Sequence, residues 1–246
     1  MKKKVYIGTS GYSYNHWKNI FYPEELKPSQ YLLHYSNYFD SLELNVTFYR
    51  LLQEKTFENW FQKTPKDFKF VVKGWRIITH IKRLKNCKNE IKSFFKNISA
   101  LKEKLICILW QLPSNFACDV NVLKEFLDLC CEQGKWYHSF EFRNKTWMND
   151  DVYITMKQKN ANICFADSPA YPVFSDISSS FVYFRFHGSQ SLYGSKYSLE
   201  QLKNYAEKIK EFIKNCDFAF AFFNNDFNGY AVENALELKK LLKDYQ

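Results

Sequence analysis

The stretch FVYFRFHG, residues 181–188, indicates the fold more clearly than any other part of the sequence. In an extended chain the apolar side chains at positions 182, 184 and 186 share one face, and Arg185 and His187 share the other. An apolar run that acquires charged groups only near its end is typical of a buried β-strand that leads into a functional loop. Gly188 then ends the run.

Seven other segments have the same character, and helical segments separate most of them. The predicted strands are 5–10, 41–45, 68–74, 105–112, 138–143, 162–167, 181–188 and 218–225. Apolar residues spaced three and four apart predict helices at 28–39, 56–63, 90–101, 120–131, 150–159, 199–213 and 231–242. Between the sixth and seventh strands, segment 168–180 contains two prolines and five serines, so we expect a loop in place of a helix there.

Strands that alternate with helices pair in parallel through right-handed crossovers. Eight such units in about 250 residues match a closed TIM (β/α)8 barrel. We therefore predict an α/β protein in which residues 1–246 form a single TIM-barrel domain. An open doubly wound sheet is the alternative.

The charge of the chain is positive, with 35 Lys and Arg against 26 Asp and Glu, a formal net charge of +9. Thirty of the 35 cations are lysines, and segment 82–104 holds seven of them and one arginine on a predicted helix. We interpret this segment as a solvated face, with a nucleic-acid contact surface as the alternative, because net charge by itself reports only non-specific attraction.

Membrane and secretory signals are not found in the sequence. No apolar run approaches the roughly 20 residues of a membrane helix, and the basic residues 2–4 are followed by Gly8 rather than by an apolar signal core. The seven cysteines are scattered and contain no C-x-x-C pair. We expect free thiols, a cytoplasmic location and no membrane association.

A TIM barrel places its active site at the carboxyl ends of its strands, so the polar residues there are the candidates. Strand alternation places two polar side chains on the same face in each of three strands. The pairs are Glu43 with Asn45, Glu141 with Arg143, and Arg185 with His187. The predicted catalytic residues are Glu43, Glu141, Asp167 and His187. The predicted substrate-binding residues are Tyr12, Trp17, Asn45, Lys73, His80, Gln111, Arg143, Arg185, Gly188, Asn224 and Asn225.

Arginine usage favours an anionic ligand. The chain has only five arginines and places Arg143 and Arg185 at strand ends, where their planar forks can grip a phosphate or carboxylate. The Gly- and Ser-rich loop that begins at Gly188 would add backbone N–H donors. The alternative is a set of structural salt bridges, for instance Glu141 with Arg185. Exchanging Arg143 or Arg185 for Met should leave the fold intact for a clamp and destabilise it for a structural pair.

A metal site is the less favoured reading of the same residues. Glu43, His80, Glu141, Asp167 and His187 offer oxygen and imidazole ligands, but the lysine and arginines expected beside them would repel a cation. We expect no cofactor, with a divalent metal as the alternative. No H-E-x-x-H or other metal spacing supports it.

An ordered series of short motifs resembles the YecE-like family, domain of unknown function family 72. The motifs run through nearly the whole chain: Gly8-Thr9-Ser10-Gly11, Glu43-Leu44-Asn45, Gln111-Leu112-Pro113, Glu141-Phe142-Arg143, Arg185-Phe186-His187-Gly188 and Phe223-Asn224-Asn225. The resemblance implies a TIM barrel and no known reaction. Tyr12, often Trp in the family, and Ser114, usually Pro there, depart from the family pattern.

Three functional hypotheses follow. The first is an enzyme, a hydrolase or isomerase, that acts by acid–base chemistry on a small phosphate- or carboxylate-bearing substrate. The second is a metal-dependent phosphodiesterase, nuclease-like or otherwise nucleic-acid-binding. The third is a ligand-binding protein without turnover. Neither the substrate nor the oligomeric state follows from the sequence.

Overall fold

The computed structural model describes residues 3–172 and 176–246. Within these residues the chain forms nine β-strands and eight α-helices. The strands are β1 (Lys4–Thr9), β2 (Ser41–Leu44), β3 (Lys69–Lys73), β4 (Leu105–Gln111), β5 (Tyr137–Glu141), β6 (Asn162–Ile163), β7 (Phe165–Asp167), β8 (Phe181–Phe186) and β9 (Phe218–Phe223). The helices are α1 (Tyr31–Ser36), α2 (Val46–Tyr49), α3 (Glu54–Lys63), α4 (Lys88–Ile98), α5 (Val120–Cys131), α6 (Asp150–Gln158), α7 (Leu199–Ile213) and α8 (Tyr230–Leu241).

The prediction of a closed eight-stranded barrel is wrong. The strands form two parallel sheets, one of four strands in the order β1-β9-β8-β7 and one of five in the order β2-β3-β4-β5-β6. The predicted sixth strand divides at Cys164 into β6 and β7, which belong to different sheets. The hydrogen-bonded ladder is therefore interrupted at two seams, between β1 and β2 and between β6 and β7.

A buried tyrosine hydroxyl occupies the first seam. Tyr35 accepts the Thr9 backbone N–H at 2.9 Å and donates to the Ser41 carbonyl at 3.1 Å, so these two backbone groups bond to a side chain rather than to each other. A single bridge, Ser10 to Glu43, joins β1 and β2. Gly8 permits this close approach, because a Cβ there would lie 2.3 Å from the Ser41 carbonyl oxygen.

Polar side chains likewise occupy the second seam. Asn162 donates its amide to the Phe181 carbonyl at 3.0 Å, and Ser178 accepts the Ile163 backbone N–H at 2.9 Å. The described parts of the predicted loop, 168–172 and 176–180, contain no helix, and its residues 173–175 lie outside the described part of the chain. The assignment of all residues to one domain stays a prediction.

The inner faces of the two sheets share one apolar cluster. It includes Val71 and Leu109 from the five-stranded sheet and Phe181, Tyr183 and Phe220 from the four-stranded sheet. The opposite strand faces pack in the larger helix-containing core, where Ala219 and Ala221 of β9 lie with Ala231 and Ala235 of α8. This alternation confirms that the two faces of β8 are sorted as its sequence predicts.

Capping residues define where two of the helices begin. Ser198 and Gln201 form a capping box at the start of α7, and Asp119 accepts the Val122 N–H at the start of α5. Both helices match their predicted bounds. In the described residues no helix combines the length and apolarity that crossing a bilayer requires.

Candidate functional site

The centre of the site is a buried guanidinium. Arg185, on β8, has no exposed surface. Its Nε and Nη2 donate to the two carboxylate oxygens of Glu43 at 3.0 and 2.6 Å, and its Nη1 donates to Oε2 of Glu141. Tyr183, on the same face of β8, donates its hydroxyl to Oε2 of Glu43 at 2.6 Å. The salt bridge considered for Glu141 and Arg185 is thus present, and it joins the two sheets.

Both carboxylates are held ionised. Burial acts to raise the pKa of each, but Arg185 beside Glu43 and Arg143 with Arg185 beside Glu141 hold both pKa values below the ordinary carboxyl range. A carboxylate this stable is a weak proton acceptor. The geometry therefore favours Glu43 and Glu141 as positioning groups over general bases.

His187 connects this network to the end of β9. Its Nδ1 lies 3.1 Å from Nδ2 of Asn224, and its Nε2 lies 3.4 Å from Oε2 of Glu141. Because an amide nitrogen only donates, Nδ1 accepts and the imidazole proton is assigned to Nε2, which faces Oε2 of Glu141 and also lies 3.5 Å from Nη1 of Arg185. Burial lowers the pKa of His187, so the ring is neutral.

A cationic pair, Lys73 and Arg143, lies beside the buried network and is partly exposed. Arg143 donates from Nε to Oε1 of Glu141 at 2.6 Å and stacks over the ring of Tyr171 at 4.1 Å. The Lys73 ammonium lies 4.4 Å from the ring centroid of Phe48, and no carboxylate of the described residues is within 4.0 Å of it. Burial and the neighbouring guanidinium groups of Arg185 and Arg143 lower the pKa of Lys73 to about 7.

His80 lies on a single π-helical turn, Ile77–Ile81, close to Lys73 at the end of β3. Such turns are frequent at functional sites. Its Nδ1 lies 2.9 Å from the Thr79 hydroxyl, and its Nε2 lies 3.4 Å from Nε2 of Gln111. Burial and the charge of Lys73 lower the pKa of His80 to about 4, so this imidazole is also neutral at physiological pH.

A concavity, here called the aromatic cleft, opens beside this centre. Its volume is about 420 Å³, and its main lining residues are Tyr12, Tyr14, Asn45, Tyr49, Arg50 and Trp60. Helix α2 separates it from the cationic pair, because Phe48 lies against Lys73 while Tyr49 lines the cleft. The predicted binding residues Tyr12 and Asn45 are therefore in the cleft rather than beside Arg185.

Four predicted site residues lie elsewhere. Asp167 accepts a hydrogen bond from the Tyr197 hydroxyl at 2.6 Å, on the helix side of β7. The amide of Asn225 bonds to the Ser195 carbonyl and to Asn234, and Trp17 is a fully buried core residue.

Gly188, the fourth of them, belongs to a loop that satisfies its own backbone. Its N–H goes to the Tyr197 hydroxyl at 2.9 Å, and those of Gln190 and Ser191 go to the Ser195 hydroxyl. The sequence predicted that these N–H groups would bind an anion, but they already donate to hydroxyl groups of the protein and are not free to do so.

Sequence reasoning missed four aromatic residues of the site. Tyr171 and Tyr193 place their rings 5.9 and 5.6 Å from His187, and Phe48 lies between Lys73 and His80. They come from loops and a one-turn helix, where no periodicity assigns a face. Tyr183 was also missed, although it shares the alternation that placed Arg185.

Several of the side chains that the metal and nucleic-acid alternatives would use are engaged with other groups of the protein. Guanidinium groups engage oxygens of both central carboxylates, and no group of three or more His, Cys, Asp or Glu within the described residues could hold a metal ion. In segment 82–104, Lys82 pairs with Glu90, Lys85 pairs with Asp119, and Lys104 is buried against the Phe61 and Thr64 carbonyls. The basic run therefore does not form one continuous free face.

Comparison with known proteins agrees with the motif resemblance. The family model described as "Protein of unknown function DUF72" matches residues 6–246. The chain is 26% identical to the UPF0759 protein YunF of Bacillus subtilis, over 97% of this chain and 94% of that protein.

Two solved structures of the same family description are also similar. A protein of Thermotoga maritima has a TM-score of 0.87 and 33% identity, covering 98% of this chain and 99% of its own. A protein of Enterococcus faecalis has a TM-score of 0.84 and 19% identity, covering 97% and 95%.

Proposed function

This chain belongs to the DUF72 family, whose description gives no activity, and from that premise we propose that it is an enzyme that acts by acid–base chemistry on a small phosphate- or carboxylate-bearing substrate. The substrate anion binds at Lys73 and Arg143, and the neutral imidazoles of His80 and His187 lie within the same site.

The observation that carries this proposal is the unpaired ammonium of Lys73. When Lys73 is protonated, the centre contains two carboxylates, two guanidinium groups and one ammonium, so it has one positive charge in excess. A half-buried charge without a counter-ion is costly, and a bound anion removes that cost. Arg143 remains partly exposed, with 13% of its side chain open to solvent, and can add a second contact to the same anion.

The protonation states suit proton transfer at neutral pH. A group is most effective as an acid or base when its pKa lies near the working pH, and the pKa of Lys73 is about 7. His187 has a defined tautomer with its proton on Nε2. This set fits a hydrolase or an isomerase equally well.

A thermal-shift series with inorganic phosphate, phosphate monoesters and carboxylates tests the proposal. A ligand present at 100 times its Kd adds about 2.7 kcal/mol of stability, which for this chain length raises the melting temperature by roughly 5–10 °C. Lys73→Met should abolish the shift, whereas Lys92→Met, at an exposed position on α4, should not. No shift with any of the anions, or an equal shift in Lys73→Met, would contradict the proposal.

A further inference from the structure

The aromatic cleft is a candidate for a binding site of its own. Its walls carry four aromatic side chains, Tyr12, Tyr14, Tyr49 and Trp60, and its one charged lining residue is Arg50 at the exposed rim. A volume of about 420 Å³ is within the range of small-molecule sites. Tyr49 is 69% exposed, so its ring is accessible to a ligand in the cleft.

Asn45 provides an independent sign of a ligand. Asn45 is a lining residue of the cleft, and its Oδ1 is buried without a hydrogen-bond partner among the described residues, so the carboxamide must turn for this acceptor to meet a ligand in the cleft. A buried acceptor left unpaired is destabilising, and such groups in native proteins call for an explanation. A carboxamide offers a donor and an acceptor side by side, the pairing with which Asn recognises the edge of adenine.

We propose that the aromatic cleft binds a planar heteroaromatic ring with an adjacent donor and acceptor, as in the adenine of a nucleoside. The ring stacks on Tyr49 and its polar edge pairs with Asn45. Stacking of bases on aromatic side chains is a general mode of recognition.

The position of the cleft then defines the substrate class, a step that rests on the proposed function. In the β2–β3 pairing Leu44 lies opposite Val72, so Asn45 and Lys73 follow side by side at the strand ends. The Thr47 hydroxyl of α2 also bonds to the Lys73 carbonyl at 2.7 Å. A single substrate with its ring at Asn45 and its anionic group at Lys73 would be nucleotide-like and would pass over α2.

Calorimetric titration with adenosine and with ribose 5-phosphate separates the two sites. We expect adenosine to bind the wild-type protein, and Tyr49→Ala and Asn45→Ala each to weaken it about tenfold, which corresponds to about 1.4 kcal/mol. Tyr38→Ala, at another exposed tyrosine, is the matched control and should not change adenosine affinity. Lys73→Met should weaken ribose 5-phosphate and leave adenosine unchanged.

Each result decides one of the two proposals. The ring site is overturned if adenosine fails to bind at millimolar concentration, or if it binds Tyr49→Ala and Asn45→Ala as tightly as it binds the wild-type protein. If adenosine binds as expected while ribose 5-phosphate fails, the ring site stands and the proposed anion-dependent function falls. Melting curves of both cleft variants exclude loss of folding as the cause, since Tyr49 is mostly exposed.

Discussion

At the scale of single residues, the fully buried Arg185 has the largest expected effect on stability. Arg185→Met leaves Glu43 without its guanidinium partner and removes one of two from Glu141. Breaking a buried ion pair from one side costs about 3–5 kcal/mol. We therefore expect a large fall in the free energy of unfolding, measured by urea denaturation, where the clamp interpretation of the sequence expected little change.

Two further variants control this experiment. Arg50→Met removes an exposed arginine and should leave the free energy of unfolding nearly unchanged. Adding Glu43→Gln to Arg185→Met removes the stranded charge and should recover part of the loss. Equal stability of wild type and Arg185→Met would show that the network does not hold the sheets together.

Lys73 makes both stability and anion binding dependent on pH. Its pKa is about 7 in the folded protein and ordinarily 10.5, so between these values the unfolded chain binds one more proton than the folded one. Stability therefore rises with pH over that window, and the rise should be smaller in Lys73→Met. Anion affinity should change in the opposite direction, falling as pH rises through about 7 and the ammonium loses its proton. Chemical denaturation and phosphate titration from pH 6 to 10 measure both trends.

Alternation along strands explains which site residues the sequence could predict. In β9 the residues 218, 220 and 222 face inward, so Asn224 reaches His187 whereas Asn225 turns to the helix side. The segment 162–167 has no such alternation, because apolar residues occupy both faces, so the sequence could not show that Asp167 faces Tyr197 on the helix side. Trp17 comes from an aromatic loop in which no period distinguishes core from site.

At the scale of elements, the seam between β1 and β2 depends on one hydroxyl. Tyr35→Phe leaves the Thr9 N–H and the Ser41 carbonyl without their partner in a buried position. We expect a loss of about 1–3 kcal/mol in the free energy of unfolding and faster amide exchange at Thr9. The matched control is Tyr31→Phe. The ring of Tyr31 is also buried, but its main contact is stacking on Tyr22, which the substitution keeps. A loss as large in the control as in Tyr35→Phe would contradict the role of the hydroxyl.

The elements themselves were predictable, and their closure was not. Every predicted strand overlaps an observed one, because apolar runs bounded by polar residues are a local property of the sequence. Whether the ladder closes depends on Tyr35, Asn162 and Ser178, which place side-chain groups where backbone bonds would otherwise form. These side-chain hydrogen bonds join residues that are distant in the sequence, so they produce no periodic pattern from which they could be predicted.

At the scale of the whole molecule, the reactivity of the seven free thiols measures how deeply each cysteine is buried. Cys131 is exposed, Cys118 is half-buried and the other five are buried. Burial also raises the pKa of Cys107, Cys130 and Cys164, which lowers the fraction of reactive thiolate. A native-state titration with a disulfide reagent should therefore modify Cys131 first, Cys118 more slowly, and the remainder only after unfolding. Cys131→Ser should lose the fast phase alone, and modification of more than two thiols in the native protein would contradict the buried arrangement.

The order of strands in the two sheets has a consequence for how the chain is made. The five-stranded sheet uses residues 41–163 without interruption, so all of its strands have left the ribosome before the other sheet can be completed. Within the described residues the ladder partner of β1 is β9, and Thr9 pairs with Phe223, which is synthesised 214 residues later. At 5–20 residues per second this interval is roughly 10–40 s. Throughout it, β1 presents unpaired backbone groups on an apolar strand, the kind of edge that templates aggregation. Of the nine strands described, β1 is thus translated first and is among the last to be paired.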